Sequence, residues 1–160
     1  MPDAVDVRGL EGALDLLKRL PEELVSSKGG VVLSGLRKGA TLVRKAWQAE
    51  VQRMVDEPNI AGKYKDIGLY KKSIGAKRVS NPKKYGADEM VRVRVKAGTY
   101  PDGDPVAMVA GILEHGDEHM VAKAPFSKAT EGIGQAVADA VVQGINDGIQ
   151  KTIKKLDPTA

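Results

Sequence analysis

The spacing of apolar positions changes period along the chain. From Leu24 to about Met54, the residues Val32, Leu36, Ala40, Val43, Trp47, Val51 and Met54 recur at threes and fours, the spacing that lines one face of a helix. This predicts one long amphipathic helix over residues 22–56, opened by Pro21 with Glu22 and Glu23 behind it, a proline and acids suited to a first turn. A shorter helical segment precedes it at residues 1–21, with Leu10, Leu14 and Leu17 on one face. Gly29, Gly30, Gly35 and Gly39 fall inside the long pattern, and each costs a helix about 1 kcal/mol against alanine. Two explanations fit them: a frayed first half, which is the expectation, or another backbone packed close against the glycines.

Past Pro58 the stretch "DEPNIAGKYKDIGLY" is lysine-rich loop chemistry as far as Gly68. Strand-like runs follow at Tyr70 to Val79, Met90 to Ala97 and Val106 to Leu113. The middle run is the clearest. Val91, Val93 and Val95 alternate with Arg92, Arg94 and Lys96, which gives one apolar and one strongly basic face. "SNPKKYGADE" and "AGTYPDGDP" separate the runs with turn-forming residues. From Ser127, the residues Ile133, Val137, Val141, Ile145, Ile149 and Ile153 step by four and predict a helix over 127–155. Ser127 suits its N-cap, and Lys151, Lys154 and Lys155 lie where the helix dipole favours cations. The expected fold is one α+β domain over residues 1–160: a small antiparallel sheet of about three to four strands, within residues 69–114, packed against a long N-terminal helix and a C-terminal helix.

The formal net charge of +4 conceals a division. Residues 1–60 are balanced, residues 61–98 carry 11 basic and 3 acidic groups, and residues 99–160 carry 5 and 9. A basic middle beside an acidic last third fits nucleic acid against one face, or neighbouring subunits packed basic face to acidic face. One Phe, one Trp and four Tyr are few for the stacking platforms of single-strand binders. Absent cysteine excludes a disulfide framework and a thiolate metal cluster. The sequence has no basic leader with an apolar core and no run near the roughly 18 apolar residues of a membrane span, so an unexported protein with no membrane contact is expected.

One stretch carries the letters of a catalytic motif. In "ILEHGDEHMVAKAPFSKA", His115, Glu118 and His119 read H-x-x-E-H, the inverted zinc-protease pattern. Zinc binding requires both imidazoles on one continuous helix, with a third ligand beyond. Here Val106 to Leu113 reads as a strand, Gly116 and Asp117 are turn residues, and Pro125 follows His119 by six positions. The competing reading is two exposed loop histidines, and a zinc hydrolase is not expected. Gly62 and Lys63 lack the other residues of a P-loop, and no G-x-S-x-G elbow is present. No catalytic residue, cofactor or metal is therefore expected. The basic face of Arg92, Arg94 and Lys96 has three readings: a solvated outer face, a protein interface, or a DNA contact.

The order of these pieces resembles a family. A long helix containing "GLRKGATLVRKAWQAEV", then "GLYKKSI" opening the sheet, "ILEHG", a loop, "APFSKA" and a closing helix are similar to the phage tail-component family typified by gene product ten of phage HK-ninety-seven. Its members are head-tail joining or tail completion proteins of long-tailed phages. The resemblance spans roughly residues 24–155 and rests on Gly68, Leu69, Ser73 and Ile74, and on Glu114, Gly116, Ala124, Pro125, Phe126 and Ala129. It implies that Gly116 permits a chain reversal, that Pro125 fixes the approach to the last helix, and that Phe126 plugs that helix's start. His115 stands where the family has an aromatic, and "GDEHMVAK" replaces a shorter polar loop.

What the resemblance implies for function is a non-enzymatic structural protein of the virion, made in the host cytoplasm and placed at the neck or upper tail. Its partners would be further copies of itself in a ring, most simply a hexamer, the tail tube or tail terminator protein, and the head-side connector or stopper. DNA would pass through the ring's lumen. Arg92, Arg94, Lys96, Glu114, Gly116, Pro125 and Phe126 are the candidate interface residues. The alternative is a basic DNA-binding or packaging-associated protein using Arg92, Arg94, Lys96 and lysines 63, 65, 71, 72, 83 and 84.

Overall fold

A computed structural model of the chain describes residues 30–55 and 67–156. The expected helical segment 1–21, the start of the long helix, Lys63, Lys65 and most of the loop after Pro58 lie outside the described residues. The elements are α1 (Gly30–Val55), α2 (Ile67–Ser73), β1 (Ile74–Arg78), a 3₁₀ turn (Pro82–Tyr85), β2 (Val91–Val95), α3 (Val106–His115), α4 (Pro125–Thr130) and α5 (Gly134–Leu156). The described residues are α+β, mostly helical, with a two-stranded sheet. The described residues group into two compact units, one of residues 30–42, 78–92 and 132–156, the other of residues 43–55, 67–77 and 93–131.

In the first unit, the start of α1 packs on α5 through glycines. A Cβ at Gly144 would lie 2.6 Å from the Cα of Gly35, and one at Gly35 would lie 2.6 Å from the carbonyl oxygen of Val141. Gly39 abuts Val141 and Val137, and Gly148 abuts Val31. The glycines at 35 and 39 therefore mark a close backbone approach, and the expectation of a frayed first half is corrected there. Val31, Val141 and Ile145 form the buried cluster between these helices, with Val142 and Ile149 packed against it. Lys38 Nζ donates to Asp147 Oδ2 at 2.5 Å on the exposed side, and this ammonium holds the Asp147 carboxyl below its ordinary value. The hairpin end belongs to the same unit, with Val79 N–H donating to Met90 O at 2.9 Å.

The predicted stripe on α1 is only half-buried at Val32 and Leu36, whereas its later part, in the second unit, is buried. Trp47, Val51 and Met54 pack with Ile67, Tyr70, Ile74, Val106, Val109, Ala110, Leu113 and Ala129. Val93 and Val95 cover the edge of this core, while Arg94 between them is exposed, as the alternation predicts. Lys96 N–H donates to Ser73 O at 2.8 Å, which with the Val79 pairing sets an antiparallel register.

Three expected elements differ. The run at Tyr70 to Val79 is a strand only from Ile74, because Ile67 and Tyr70 bury one side of a helical turn first. Val106 to Leu113 is a helix, not a third strand. Its buried residues Val106, Val109, Ala110 and Leu113 follow the three-and-four spacing of a helix face, and Ala107 and Met108 are exposed. The closing helix over 127–155 is two helices, interrupted at Gly132, whose φ of 73° suits glycine. Its long part begins at Gly134, so Ser127 is not its N-cap.

Candidate functional site

Of the residues on which the family resemblance rests, Glu114, Gly116, Ala124, Pro125 and Phe126 lie at the junction of α3 and α4 in the second unit. Glu114 lies on the buried face of the last turn of α3. Its Oε2 accepts the N–H of Phe126 at 2.7 Å, and its Oε1 accepts the N–H of Ser127 at 3.0 Å and the Ser127 hydroxyl at 2.5 Å. These are the first-turn donors of α4, which have no partner within their own helix. The acid reaches them from a different helix, so the end of α3 and the start of α4 are tied together through the intervening loop. Leu113 O closes the same loop by accepting from Lys123 N–H at 2.9 Å and Ala124 N–H at 3.1 Å.

The loop leaves α3 through Gly116, with φ 77° and ψ 177°, a backbone region that is essentially glycine's alone. A Cβ there would lie 2.7 Å from Met120 O and 2.8 Å from Ala122 N. The chain reaches α4 through Ala124 in the left-handed conformation (φ 49°, ψ 51°), an uncommon state for a residue with a side chain. Pro125 then fixes the first turn and is fully buried. Phe126 packs against Trp47 edge to face, with ring centroids 4.7 Å apart. Trp47 also donates its Nε1–H to the Tyr70 hydroxyl at 2.9 Å, and the two rings meet edge to face at 6.2 Å. Burial pushes the Tyr70 phenol above its ordinary range, against the smaller opposing effect of the Trp47 hydrogen bond.

Glu114, Gly116, Pro125 and Phe126 thus form one structural latch. Ser127, Ala124, Trp47 and Tyr70 complete it and were not singled out as candidate site residues. The aromatic partners are far apart in sequence, and no local spacing signals their meeting.

The basic candidates behave differently. Arg92, Arg94 and Lys96 are all exposed, and among the described residues no acidic side chain pairs with them. Arg92 stands over the Tyr85 ring, 4.7 Å from its centroid, within the first unit. Lys96, in the second unit, lays its aliphatic stem against Gly75. Of the other lysines in the basic segment, Lys71 donates to Gln52 Oε1 at 2.9 Å, and Lys72, Lys83 and Lys84 are exposed.

His115 is the last residue of α3, and His119 lies in the tight turn between Asp117 and Met120, its N–H held by Asp117 Oδ1 at 2.8 Å. Gly116 separates them, so the two imidazoles do not project from one helix. His119 Nε2 lies 3.3 Å from Glu118 Oε1 with both side chains largely exposed. Among the described residues no three His, Asp or Glu side chains converge as a metal site, and no helix is long and apolar enough to cross a membrane.

No family model matches this chain, and no curated protein and no solved structure matches it.

Proposed function

We propose that this chain is a non-enzymatic structural protein of the bacteriophage neck, which completes the upper end of the tail and joins it to the head as a ring. The observation that carries the reading is the Glu114 latch. Glu114, Gly116, Pro125 and Phe126, four of the ten residues on which the resemblance to tail-completion proteins rests, have interlocking physical roles in holding α3 to α4. These residues of the short motif act together in one three-dimensional feature, and that shared role supports reading them as a unit.

A ring, sixfold to match a tail tube, forms by head-to-tail contact between unlike surfaces. The exposed cations of β2 and the acidic excess of residues 99–160 supply unlike surfaces. The ring's neighbours are the tail tube or terminator protein on one side and the connector or stopper on the other, with DNA passing through the lumen.

The test of ring formation is the double reversal Arg92→Glu and Arg94→Glu, followed by sedimentation and circular dichroism. Both side chains are exposed, so a folded monomer that no longer assembles is expected. A ring that assembles as before contradicts charge pairing through β2.

A further inference from the structure

The end of the β-hairpin, in the first unit, is a stiff support for cations. The 3₁₀ turn Pro82–Tyr85 begins with a proline and is closed by Gly86 in the left-handed conformation (φ 73°, ψ 18°). Gly86 N–H donates to Lys83 O at 3.0 Å and Ala87 N–H to Pro82 O at 3.3 Å. Behind the turn, Arg78 Nε donates to Glu89 Oε2 at 3.0 Å and its Nη2 donates to Glu89 Oε1. This two-pronged pair staples the hairpin arms and neutralises one of the two acids in residues 78–92, leaving Asp88 as the other. Lys83, Lys84 and Arg92 remain exposed. The Arg92 guanidinium rests over the ring of Tyr85, itself 50% exposed.

We propose that this hairpin end binds the phosphate backbone of a nucleic acid, with Lys83, Lys84 and the Arg92 guanidinium as the phosphate-binding groups. Lysine is a hydrated point charge on a flexible stem, suited to phosphates that are met without fixed register. Arg92 differs because its contact with Tyr85 restricts its rotamers before any ligand arrives. A protein partner is the poorer fit. The centre of a protein interface is depleted of lysine and built on aromatic and apolar anchors, whereas Tyr85 is the one large apolar side chain exposed in residues 78–92 and carries Arg92 on its face. Phosphate contacts of this kind give affinity without base specificity, so duplexes of unrelated sequence bind alike. The inference stands without the neck reading: it assigns Arg92, which rests on Tyr85 in the first unit, to phosphate and leaves the subunit contact of the neck reading to Arg94 and Lys96.

The test is fluorescence anisotropy of the full chain with short duplexes of unrelated sequence, from about 20 to about 200 mM salt. The expected result is sequence-independent binding whose log affinity falls with log salt at a slope of about −3, as three neutralised phosphates require. The double variant Lys83→Glu, Lys84→Glu should bind about 30-fold more weakly at low salt, with a slope reduced by about 2, and should keep the wild-type assembly state and helical content. Lys128→Glu, the same substitution made once, with half that change in charge, at an exposed site in the other unit, should leave the affinity unchanged. Absence of binding at the lowest salt overturns the proposal, as does equal weakening by Lys128→Glu. A double variant that loses self-association, in a protein that does not bind DNA, assigns the hairpin to a second copy and also overturns it. Failure of the neck reading shows separately, in whether virions assemble.

Discussion

Glu114 accepts the backbone N–H of Phe126 at 2.7 Å, so a side chain in the last turn of one helix supplies the missing acceptor for the first turn of the next. With Ser127 contributing two further donors to the same carboxylate, this contact decides how the chain between them is held.

Removing the acceptor should destabilise the second unit more than removing its charge. Hydrogen bonds to a charged group contribute about 1.5–3 kcal/mol each, partly recovered by water at this site. Glu114→Ala is therefore expected to lower unfolding stability by about 2–4 kcal/mol, and Glu114→Gln, which keeps one carbonyl acceptor, by about half as much. Urea denaturation measures both. Equal and small losses would mean that the latch contributes little.

At Gly116 the constraint is steric. Gly116→Ala places a Cβ within 2.8 Å of two backbone atoms at a φ of 77° and should cost at least about 2 kcal/mol. Gly132→Ala has a similar φ but open space, and should cost only about 1 kcal/mol. Melting temperatures that fall equally would show that backbone conformation alone, not the crowding by Met120 and Ala122, sets the requirement at 116.

Helix propensity and packing predict opposite signs at two other glycines. Gly111 lies in α3 with nothing near its missing Cβ, so Gly111→Ala should stabilise by about 0.5–1 kcal/mol. Gly144 faces the backbone of Gly35, and Gly144→Ala should destabilise by about 1–3 kcal/mol through forced separation of α1 and α5. A stabilising Gly144→Ala would show that these helices do not pack at that distance.

Tyr70 predicts an alkaline loss of stability. Burial raises its ionisation above the ordinary value near 10. Above pH about 10 the unfolded chain therefore releases the phenolic proton while the folded chain keeps it. The stabilisation is complete below that pH and declines as pH rises above it. Tyr70→Phe deprives Trp47 Nε1–H of its acceptor and should cost about 1–2 kcal/mol at neutral pH. Its stability should then fall less than that of the wild type between about pH 9 and 11. Parallel declines in chemical denaturation across that range would remove Tyr70 as the cause.

The sequence revealed elements with a clean period and obscured those without one. Trp47, Val51 and Met54 are buried on α1 as their spacing requires, and Val91, Val93 and Val95 alternate with exposed Arg92 and Arg94 in β2. "VAMVAGIL" is apolar at nearly every position, so periodicity alone does not separate strand from helix there. The strand expected there is a helix, whose buried apolar residues join the cluster of Trp47 and Tyr70. The glycines of α1 had two explanations in sequence because their partners, Val141 and Gly144, lie about a hundred residues away. Glu114, Gly116, Pro125 and Phe126 were visible as a motif. What joins them was not, since the carboxylate acts on backbone N–H groups that every sequence possesses.

Electron microscopy of lysates from a phage carrying this reading frame, after its deletion, tests the proposed place at the neck. DNA-filled heads should accumulate beside unattached tails, with attachment restored when the protein is supplied in trans. Normal, infectious particles in the absence of the protein would contradict that placement.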